Sequence, residues 1–289
     1  MSLPNIIVLA IVQGLAELLP VSSSAHVIVA EKLMGLDPSS PPMTLLLAML
    51  HTGTMFAVIV YFWQRWRTTY FQSARTLRTF AALVVTATAL TAVVGEAIIK
   101  LIESTVLRST PHSSIEDLFS HLEFIAPALA AAGAMILGAG IFERSRSGRS
   151  ELEARDLTLK QASVIGMVQG LCLPFRGLSR SGATISAGML MGLAKTGAEA
   201  FSFALAVAIT PPVVAREALR IFQMEKTGAA GHLGKFAMLS LLGAFVAFIA
   251  GLVALKWLSR WLETGRWYLF GLYCLVAAVA VELLYQVGY

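Results

Sequence analysis

The sequence predicts an all-α polytopic membrane protein with six transmembrane helices plus two re-entrant helix pairs arranged as an inverted repeat. Three observations support this prediction. The chain is 57% hydrophobic and only 13% charged, whereas soluble domains carry about 25% charged residues. Six apolar stretches are long enough to cross a bilayer. Finally, a short polar motif that interrupts apolar sequence occurs once in each half of the chain.

The two copies of this motif share the segment Val-Gln-Gly-Leu, which stands at 12–15 in the first half and at 168–171 in the second. In both copies a proline, a serine-rich turn and a helix start with small residues follow. Broken helices in matching positions are typical of membrane proteins built as inverted repeats around a site near the bilayer midplane. We therefore expect one membrane-embedded domain spanning 1–289. Its repeat halves are about 1–142 and 161–289, joined by the loop 143–160.

The boundaries of the helices follow from apolar stretches and the residues that interrupt them. The arm 5–19 is short for a bilayer span, and Pro20 cannot continue its helix. We expect the chain to return as a second arm over 24–34, and the same pattern predicts a second pair over 161–172 and 183–194. The predicted transmembrane helices are 45–63, 80–102, 125–142, 201–219 (kinked at Pro211 and Pro212), 236–255 and 267–285.

Loop charge predicts the orientation, because cytoplasmic loops are enriched in lysine and arginine. The loops 64–79 and 143–160 are rich in arginine, whereas 103–123 is mainly acidic. The first two are therefore expected in the cytoplasm, with the acidic loop and both termini outside. The first re-entrant pair then enters from outside and the second from the cytoplasm. The loop 220–235, with three basic residues on the outer side, departs from the bias.

Composition also limits the partners and the redox chemistry. The net charge of +5 comes from basic residues in short loops beside apolar spans, so no nucleic acid partner is expected. Cys172 and Cys274 lie in apolar sequence without metal or disulfide spacing, which predicts small core residues. No signal peptide is expected, because Met1 to Asn5 carry no basic side chain.

The first copy of the motif places polar side chains at a break between two helices. Gln13 and Glu17 are four residues apart and share one helix face. After Pro20, three serines (Ser22, Ser23 and Ser24) are good N-cap types, and we expect Ser23 or Ser24 to be the cap. His26 then falls in the first turn of the second helix. The free N–H groups of a helix start suit phosphate, so the break is a candidate phosphate site.

The second copy adds a cation and more hydroxyls. Arg180 is a permanent cation that can hold a phosphate bidentately. Ser179, Ser181 and Thr184 are expected to donate hydrogen bonds to phosphate. A further polar residue, His51, lies within the first predicted transmembrane helix. It is either structural or a polar group that faces the site, and the sequence does not decide between the two.

These residues together suit catalysis better than binding alone. An oxyanion binder needs the helix starts, the arginine and the hydroxyls, but only a catalyst clearly needs His26 and Glu17 as well. A carboxylate repels a phosphate unless a divalent cation lies between them. Glu17, assisted by Gln13, therefore predicts Mg²⁺ or Ca²⁺, and phosphoryl transfer follows from positioning and charge stabilisation.

The attacking group has three candidates in the sequence. His26 could attack phosphorus itself, or Ser23 could attack while His26 removes its proton, and direct attack by water is the third alternative. We favour His26, because a serine that caps the helix turns its oxygen toward the helix N–H groups.

The two motifs resemble those of a known family. The segments Gln13–His26 and Ser179–Ser186, with Phe201–Val207, are similar to the undecaprenyl-diphosphate phosphatases of bacteria, the bacitracin-resistance membrane proteins. The resemblance implies removal of the terminal phosphate of this polyprenyl diphosphate at the outer (periplasmic) face of the plasma (inner) membrane. It also implies recycling of the lipid carrier for cell-wall synthesis, contact with membrane lipid, and a homodimer. By resemblance, the functional positions are Glu17, Ser23, His26, Ser179, Arg180 and Thr184.

Two positions depart from the family pattern. Gln13 stands where the family often has glutamate, so one metal-binding carboxylate is absent. The loop 174–178 is longer than the common Pro-Gly form, and its Arg176 is a candidate second phosphate contact. We expect these departures to change metal dependence and rate more than the class of reaction.

Two other classes of protein could use the same motifs. Inverted repeats with broken helices are common in secondary transporters. A flippase for a lipid phosphate, or an anion carrier, would use Arg180 and the helix starts equally well. A non-catalytic lipid-binding protein is the third alternative. The presence of both His26 and Glu17 favours the enzyme.

Overall fold

The computed structural model describes residues 2–37, 40–105, 122–145, 157–226 and 233–288. Within these ranges the chain forms ten α-helices and no strand. Six of them (α3, α4, α5, α8, α9 and α10) contain stretches long and apolar enough to cross a membrane, which confirms the predicted all-α polytopic class. The helices are α1 Leu3–Leu18, α2 Ser23–Leu33, α3 Pro41–Thr69, α4 Ala74–Thr105, α5 Leu122–Ser145, α6 Leu159–Cys172, α7 Arg180–Leu190, α8 Lys195–Lys226, α9 Leu233–Glu263 and α10 Trp267–Gln286.

Each predicted transmembrane helix falls inside one observed helix, but several helices extend further than predicted. The predicted loop 64–79 is wrong for most of its length, because α3 continues to Thr69 and α4 begins at Ala74. Arginine is a good helix former and its charged end reaches solvent from a helix end, so the arginines of this segment do not require a loop. The second arm α7 begins three residues earlier than predicted, at Arg180, because Ser179 caps it.

Parts of the predicted loops lie outside the described residues. This is true of 106–121 in the acidic loop, of 146–156 in the loop between the halves, and of 227–232. The helix α8 is continuous through Pro211 and Pro212. The orientation in the membrane and the inverted relation of the two halves stay predictions.

The helices pack in pairs that leave an apolar outer surface. α5 lies along α10, α3 along α9, α4 along α6, and α1 against α9. Large apolar side chains on the outside of the bundle are exposed, among them Val85, Met238 and Phe245. An apolar surface of this extent is the one expected to contact lipid acyl chains.

In each copy of the motif, the first helix (α1 or α6) has a glycine that lets two backbones approach closely. A Cβ added to Gly14 of α1 would lie 2.7 Å from the backbone oxygen of Ala247 in α9. A Cβ added to Gly170 of α6 would lie 2.9 Å from the backbone oxygen of Thr91 in α4. Because these two glycines occupy the same place in the repeated segment, each copy uses the same close contact to hold its arm.

We expect Gly14→Ala to destabilise the protein, because the new methyl group overlaps the backbone of α9. Overpacking of this kind costs about 1–3 kcal/mol. The matched control is Gly138→Ala in α5, where no heavy atom lies within 4 Å of the added Cβ. Thermal unfolding in detergent should occur at a lower temperature for Gly14→Ala and at an unchanged or slightly higher one for Gly138→Ala. Equal midpoints for the two variants would show that α1 does not need the close approach.

Packing brings the two breaks together inside the bundle. The first break joins α1 to α2 at residues 19–22, and the second joins α6 to α7 at 173–179. The hydroxyl of Ser181 donates to the backbone oxygen of Leu19 at 3.4 Å. From α10, the Cys274 thiol donates to the backbone oxygen of Pro20 at 3.4 Å. The first break is therefore contacted by both α7 and α10.

Candidate active site

The first break contains a strained residue, Ser22. Its φ of +67° is in the left-handed region, and among the described residues it is the only non-glycine residue with a positive φ. Such a conformation costs about 1–3 kcal/mol and is typical of functional sites. Ser22 is also the N-cap of α2, with its oxygen accepting from the Ala25 N–H at 3.4 Å. The expectation that Ser23 or Ser24 is the cap is therefore wrong.

Glu17 is the centre of the site. Its Oε2 accepts from the Gln13 amide at 3.1 Å and from the Ser23 hydroxyl at 2.5 Å. Because Ser22 provides the cap, the hydroxyl of Ser23 is available for this bond. The Oε1 of Glu17 accepts from Arg180 Nη2 at 2.5 Å. The structure thus joins the carboxylate of the first motif to the cation of the second, as the pattern of two facing breaks predicts.

The electrostatic setting of Glu17 stabilises its ionised form. Its side chain is only 11% exposed and that of Arg180 24% exposed, so the two opposite charges compensate each other in a largely buried place. His51 lies nearby, with its Nε2 3.6 Å from Glu17 Oε2. The Nδ1–H of His51 donates to the backbone oxygen of Leu47 at 2.8 Å. His51 therefore faces Glu17, which agrees with the second of the two alternatives that the sequence leaves open.

The hydroxyls of the second motif bond within the protein. Ser179 caps α7 by accepting from the Gly182 N–H at 3.2 Å. Thr184 is fully buried; its hydroxyl donates to the backbone oxygen of Arg180 at 2.8 Å and lies 2.6 Å from the Ser202 hydroxyl. Together with the bond from Ser181 to the first break, these contacts fix the start of α7. Their predicted role as phosphate donors is an additional one that these bonds do not test.

His26 has partners on both ring nitrogens. Its Nδ1 lies 2.8 Å from the backbone oxygen of Ser22 and its Nε2 lies 2.7 Å from the Tyr273 hydroxyl. A carbonyl only accepts, so Nδ1 carries the proton and, in the neutral ring, Nε2 accepts from tyrosine. The group that accepts from Ser23 is Glu17 and not His26. In this arrangement Glu17 is the base best placed to take the proton of Ser23.

The second copy of the motif lacks the carboxylate of the first. Gln169, the counterpart of Gln13, donates to the Thr91 hydroxyl at 3.1 Å. The position four residues later is Leu173, where the first copy has Glu17. The copies are therefore specialised, since the first supplies the carboxylate, the serine and the imidazole, and the second supplies the guanidinium.

Arg176, predicted as a second phosphate contact, lies in the turn between α6 and α7. It interacts electrostatically with Glu31 near the end of α2. The Glu31 carboxyl is buried, and one of its oxygens has no hydrogen-bond partner among the described residues. Arg176 thus interacts with a buried acid that the sequence analysis did not single out, and its charge offsets only part of the effect of burial.

Sequence reasoning also missed Tyr273. This residue is 247 positions away from His26 and stands within the apolar sequence of α10. No motif or spacing connects the two residues. The one available signal was its position in a transmembrane helix, where a hydroxyl needs a partner, but that signal does not name the partner.

Comparison with known proteins identifies the family. The sequence pattern of the family described as "Bacitracin resistance protein BacA" matches residues 6–280, which include both motifs and all the site residues above. The chain belongs to this family. The BacA match covers the six predicted transmembrane helices almost completely, so the resemblance of the two motifs extends to the whole bundle.

Individual relatives of the chain are named as undecaprenyl-diphosphatases. "Undecaprenyl-diphosphatase 2" of Acinetobacter baylyi is 52% identical over 278 residues, which are 95% of each chain. "Undecaprenyl-diphosphatase" of Rhodopirellula baltica is 33% identical over 97% of each chain. A protein of the same name from Anaeromyxobacter sp. is 32% identical over all of this chain and 90% of its own length. This chain is therefore similar, over its full length, to proteins named as diphosphatases.

Proposed function

We propose that this BacA-family protein hydrolyses undecaprenyl diphosphate to undecaprenyl phosphate and inorganic phosphate. The observation that carries the proposal is the contact between the motifs, in which Glu17 holds Ser23 and Arg180 at 2.5 Å each. It joins a hydroxyl nucleophile, a base and a phosphate-binding cation in one place. Full-length relatives named as undecaprenyl-diphosphatases support the same reaction. Recycling of the lipid carrier for cell-wall synthesis and resistance to bacitracin fit the family.

The transporter alternative is not favoured, because the names of the relatives describe a hydrolase and the site contains a serine beside a carboxylate. The two classes differ in one requirement, since transport needs a sealed bilayer and hydrolysis does not. Purified protein in detergent should therefore release inorganic phosphate from undecaprenyl diphosphate. Protein that is folded and binds the lipid in detergent, but releases no phosphate, would support a carrier or a lipid-binding protein instead.

Arg180 and the two helix starts bind the diphosphate in our proposal. The guanidinium has five N–H donors, and Glu17 uses one of its nitrogens. The remaining donors can hold phosphate oxygens while the N-termini of α2 and α7 add free N–H groups and a favourable dipole. Binding thus requires both halves of the chain.

Ser23 attacks the terminal phosphorus in the first chemical step. Its proton passes to Glu17, the bond from Ser23 Oγ to phosphorus forms, and the bond from phosphorus to the bridging oxygen breaks. Undecaprenyl phosphate leaves with the electron pair of that bond. In the second step water attacks the phosphoserine, the bond from phosphorus to Ser23 Oγ breaks, and His26 Nε2 takes a proton from the water. Ser23 recovers its proton from Glu17 as inorganic phosphate departs, and His26 then releases its proton to solvent.

The alternative that the sequence favours, attack by His26 itself, also uses Nε2. This nitrogen carries the lone pair of the neutral ring, because Nδ1 donates to the backbone of Ser22. For His26 to attack, Nε2 must first give up its hydrogen bond from the Tyr273 hydroxyl so that it can approach phosphorus. Ser23 needs no such exchange, since its hydroxyl already bonds to its base. For this reason we place Ser23 first and His26 second.

A divalent cation, Mg²⁺ or Ca²⁺, is part of the proposal. Among the described residues no group of three or more His, Cys, Asp or Glu suits a metal ion. Glu17 accepts three hydrogen bonds and a carboxylate has about four acceptor positions, so one is left. In our proposal Glu17, with the neutral oxygens of Gln13 and Ser23, would hold this cation. Such a cation would offset the negative charge of the diphosphate.

We expect excess EDTA to abolish phosphate release, and added Mg²⁺ or Ca²⁺ to restore it. Gln13→Glu supplies a second carboxylate and should lower the concentration of Mg²⁺ needed for half-maximal activity, because charge raises affinity for hard cations. The measurement is a titration of activity with Mg²⁺ for both proteins, together with calorimetric binding of Mg²⁺. Full activity in EDTA would remove the cation from the proposal.

The protein is a multi-pass membrane protein, and we propose that its active site opens to the periplasmic face of the plasma membrane. The support is the arginine content of the segment 64–79, where α3 ends and α4 begins, and of the predicted loop 143–160. A homodimer, which the family resemblance implies, is also proposed and is to be measured by mass in detergent.

The proposed orientation predicts which loops can be labelled from outside. Ser109 lies in the predicted acidic loop and Ser147 in the predicted loop between the halves, and each can be replaced by cysteine. In intact cells, a thiol reagent that does not cross the membrane should label position 109 and not position 147. The native cysteines give little background, because Cys172 and Cys274 are buried. Labelling at 147 alone would place the active site on the cytoplasmic side.

A further inference from the structure

The imidazole of His26 is held by α10, the last helix of the second half. The Tyr273 hydroxyl lies 2.7 Å from His26 Nε2. The two rings are also stacked, with their centroids 5.7 Å apart and an angle of 14° between their planes. A hydrogen bond at one edge and a parallel ring together fix both the position and the rotation of the imidazole. Within α2 and its N-cap, the imidazole is held only at the other ring nitrogen, Nδ1.

The opposite nitrogen is fixed by the strained backbone of Ser22. Ser22 has a positive φ, and its backbone carbonyl accepts a hydrogen bond from the Nδ1–H of His26 at 2.8 Å. Because a carbonyl cannot donate, this bond places the ring proton on Nδ1. The lone pair then lies on Nε2, and the Tyr273 O–H is the donor that matches it. The strained carbonyl and the tyrosine hydroxyl therefore select one tautomer of His26 together.

The helix α10 is itself firmly placed against the break. Cys274, the residue after Tyr273, donates to the backbone oxygen of Pro20. Three residues earlier on the same face, a Cβ added to Gly271 would lie 2.6 Å from the backbone nitrogen of Leu137 in α5. The hydroxyl of Tyr273 is thus carried by a helix that packs closely against α5 and contacts the first break.

We infer that Tyr273 is a positioning residue for His26, which holds the imidazole as the Nδ1–H tautomer with the Nε2 lone pair directed toward the tyrosine hydroxyl. The effect of Tyr273 on catalysis, as inferred here, rests on the proposed function. It is the same whether His26 activates water or attacks phosphorus, since both roles use Nε2. Tyr273 is 47% exposed, so its hydroxyl can move away when a phosphate or a water molecule approaches Nε2.

Tyr273→Phe tests the inference, because it keeps the stacked ring and removes only the hydroxyl. The first readout is the rate at which diethyl pyrocarbonate modifies His26, measured by peptide mass spectrometry. This reagent needs a free lone pair on nitrogen. We expect faster modification of His26 in Tyr273→Phe and an unchanged rate at His51 in the same sample. Tyr273→Leu, which removes the ring as well, should raise the rate at His26 at least as much.

The second readout is the turnover of undecaprenyl diphosphate. Loss of one neutral hydrogen bond should lower kcat about three- to tenfold with little change in KM, because the tyrosine orients the reacting group and does not bind the substrate. The matched control is Tyr285→Phe in the same helix, whose hydroxyl donates to Glu123 at 3.0 Å. It should leave both kcat and the modification of His26 unchanged.

The outcomes separate this inference from the proposed function. Unchanged modification of His26 in both Tyr273 variants, or unchanged kcat in Tyr273→Phe, would overturn the positioning role. A higher rate at His51 as well as at His26 would mean general loosening of the fold, and would also count against it. If His26 alone becomes more reactive but the parent protein releases no phosphate, the placement of the imidazole stands and the proposed reaction fails.

Discussion

Ser23→Ala is expected to lower phosphate release from undecaprenyl diphosphate by at least about 10⁴-fold, because a nucleophile and its base act as one unit. The variant removes the hydroxyl that donates to Glu17 at 2.5 Å. The N-cap of α2 is untouched, since Ser22 provides it, so the fold should be preserved. The measurement is kcat of purified protein, with the thermal unfolding temperature as a check of folding.

The matched control is Ser24→Ala, one residue further along the same helix. The Ser24 hydroxyl lies 3.4 Å from that of Ser22 and does not contact Glu17 in the structure. We expect the kcat of Ser24→Ala to change by less than about threefold, which corresponds to the loss of one weak hydrogen bond. A Ser23→Ala variant that keeps a readily measurable rate, beside a His26→Ala variant with none, would instead support attack by His26.

Arg180→Lys is expected to lower kcat/KM by about 10²–10³-fold, the typical cost of removing one donor that stabilises developing charge. Lysine keeps the positive charge, but it loses the planar fork that binds Glu17 and a phosphate at the same time. The remaining charge should still compensate Glu17, so the variant is expected to fold. Turnover near that of the parent in a folded Arg180→Lys protein would contradict the proposed binding of the diphosphate.

The control for Arg180→Lys is the same substitution at Arg176. Arg176 interacts electrostatically with the buried Glu31, and lysine preserves that charge. We expect the activity of Arg176→Lys to fall less than about tenfold. A loss as large as that of Arg180→Lys would instead confirm Arg176 as a second phosphate contact.

The sequence predicts the helices well because their signal is local and strong. Six long apolar stretches have few alternatives to a transmembrane helix. The breaks are equally visible, since a proline and a serine run interrupt apolar sequence. The repeated segment also places Glu17 and Arg180 at corresponding breaks, and the structure brings the two side chains into contact. The proximity of the two motifs could therefore be anticipated from one sequence.

The direction in which each side chain points could not be anticipated. Three consecutive serines are equally good N-cap types, and only the backbone of the turn selects Ser22 with its positive φ. That choice decides that Ser23 faces Glu17. The role of Tyr273 could not be predicted for a different reason, because its contact with His26 depends on how α10 packs against the first break. Both features depend on tertiary packing, which spacing along the chain does not encode.

The most direct test of the central claim, that Ser23 attacks with Glu17 as its base, is rapid quenching of the enzyme with substrate labelled in the terminal phosphate. One portion is quenched in acid and one in alkali, and the labelled peptide is identified. A phosphoserine survives acid and is lost in alkali, whereas a phosphohistidine behaves in the opposite way. We predict acid-stable label on Ser23. Label that survives only in alkali and maps to His26 would contradict the claim.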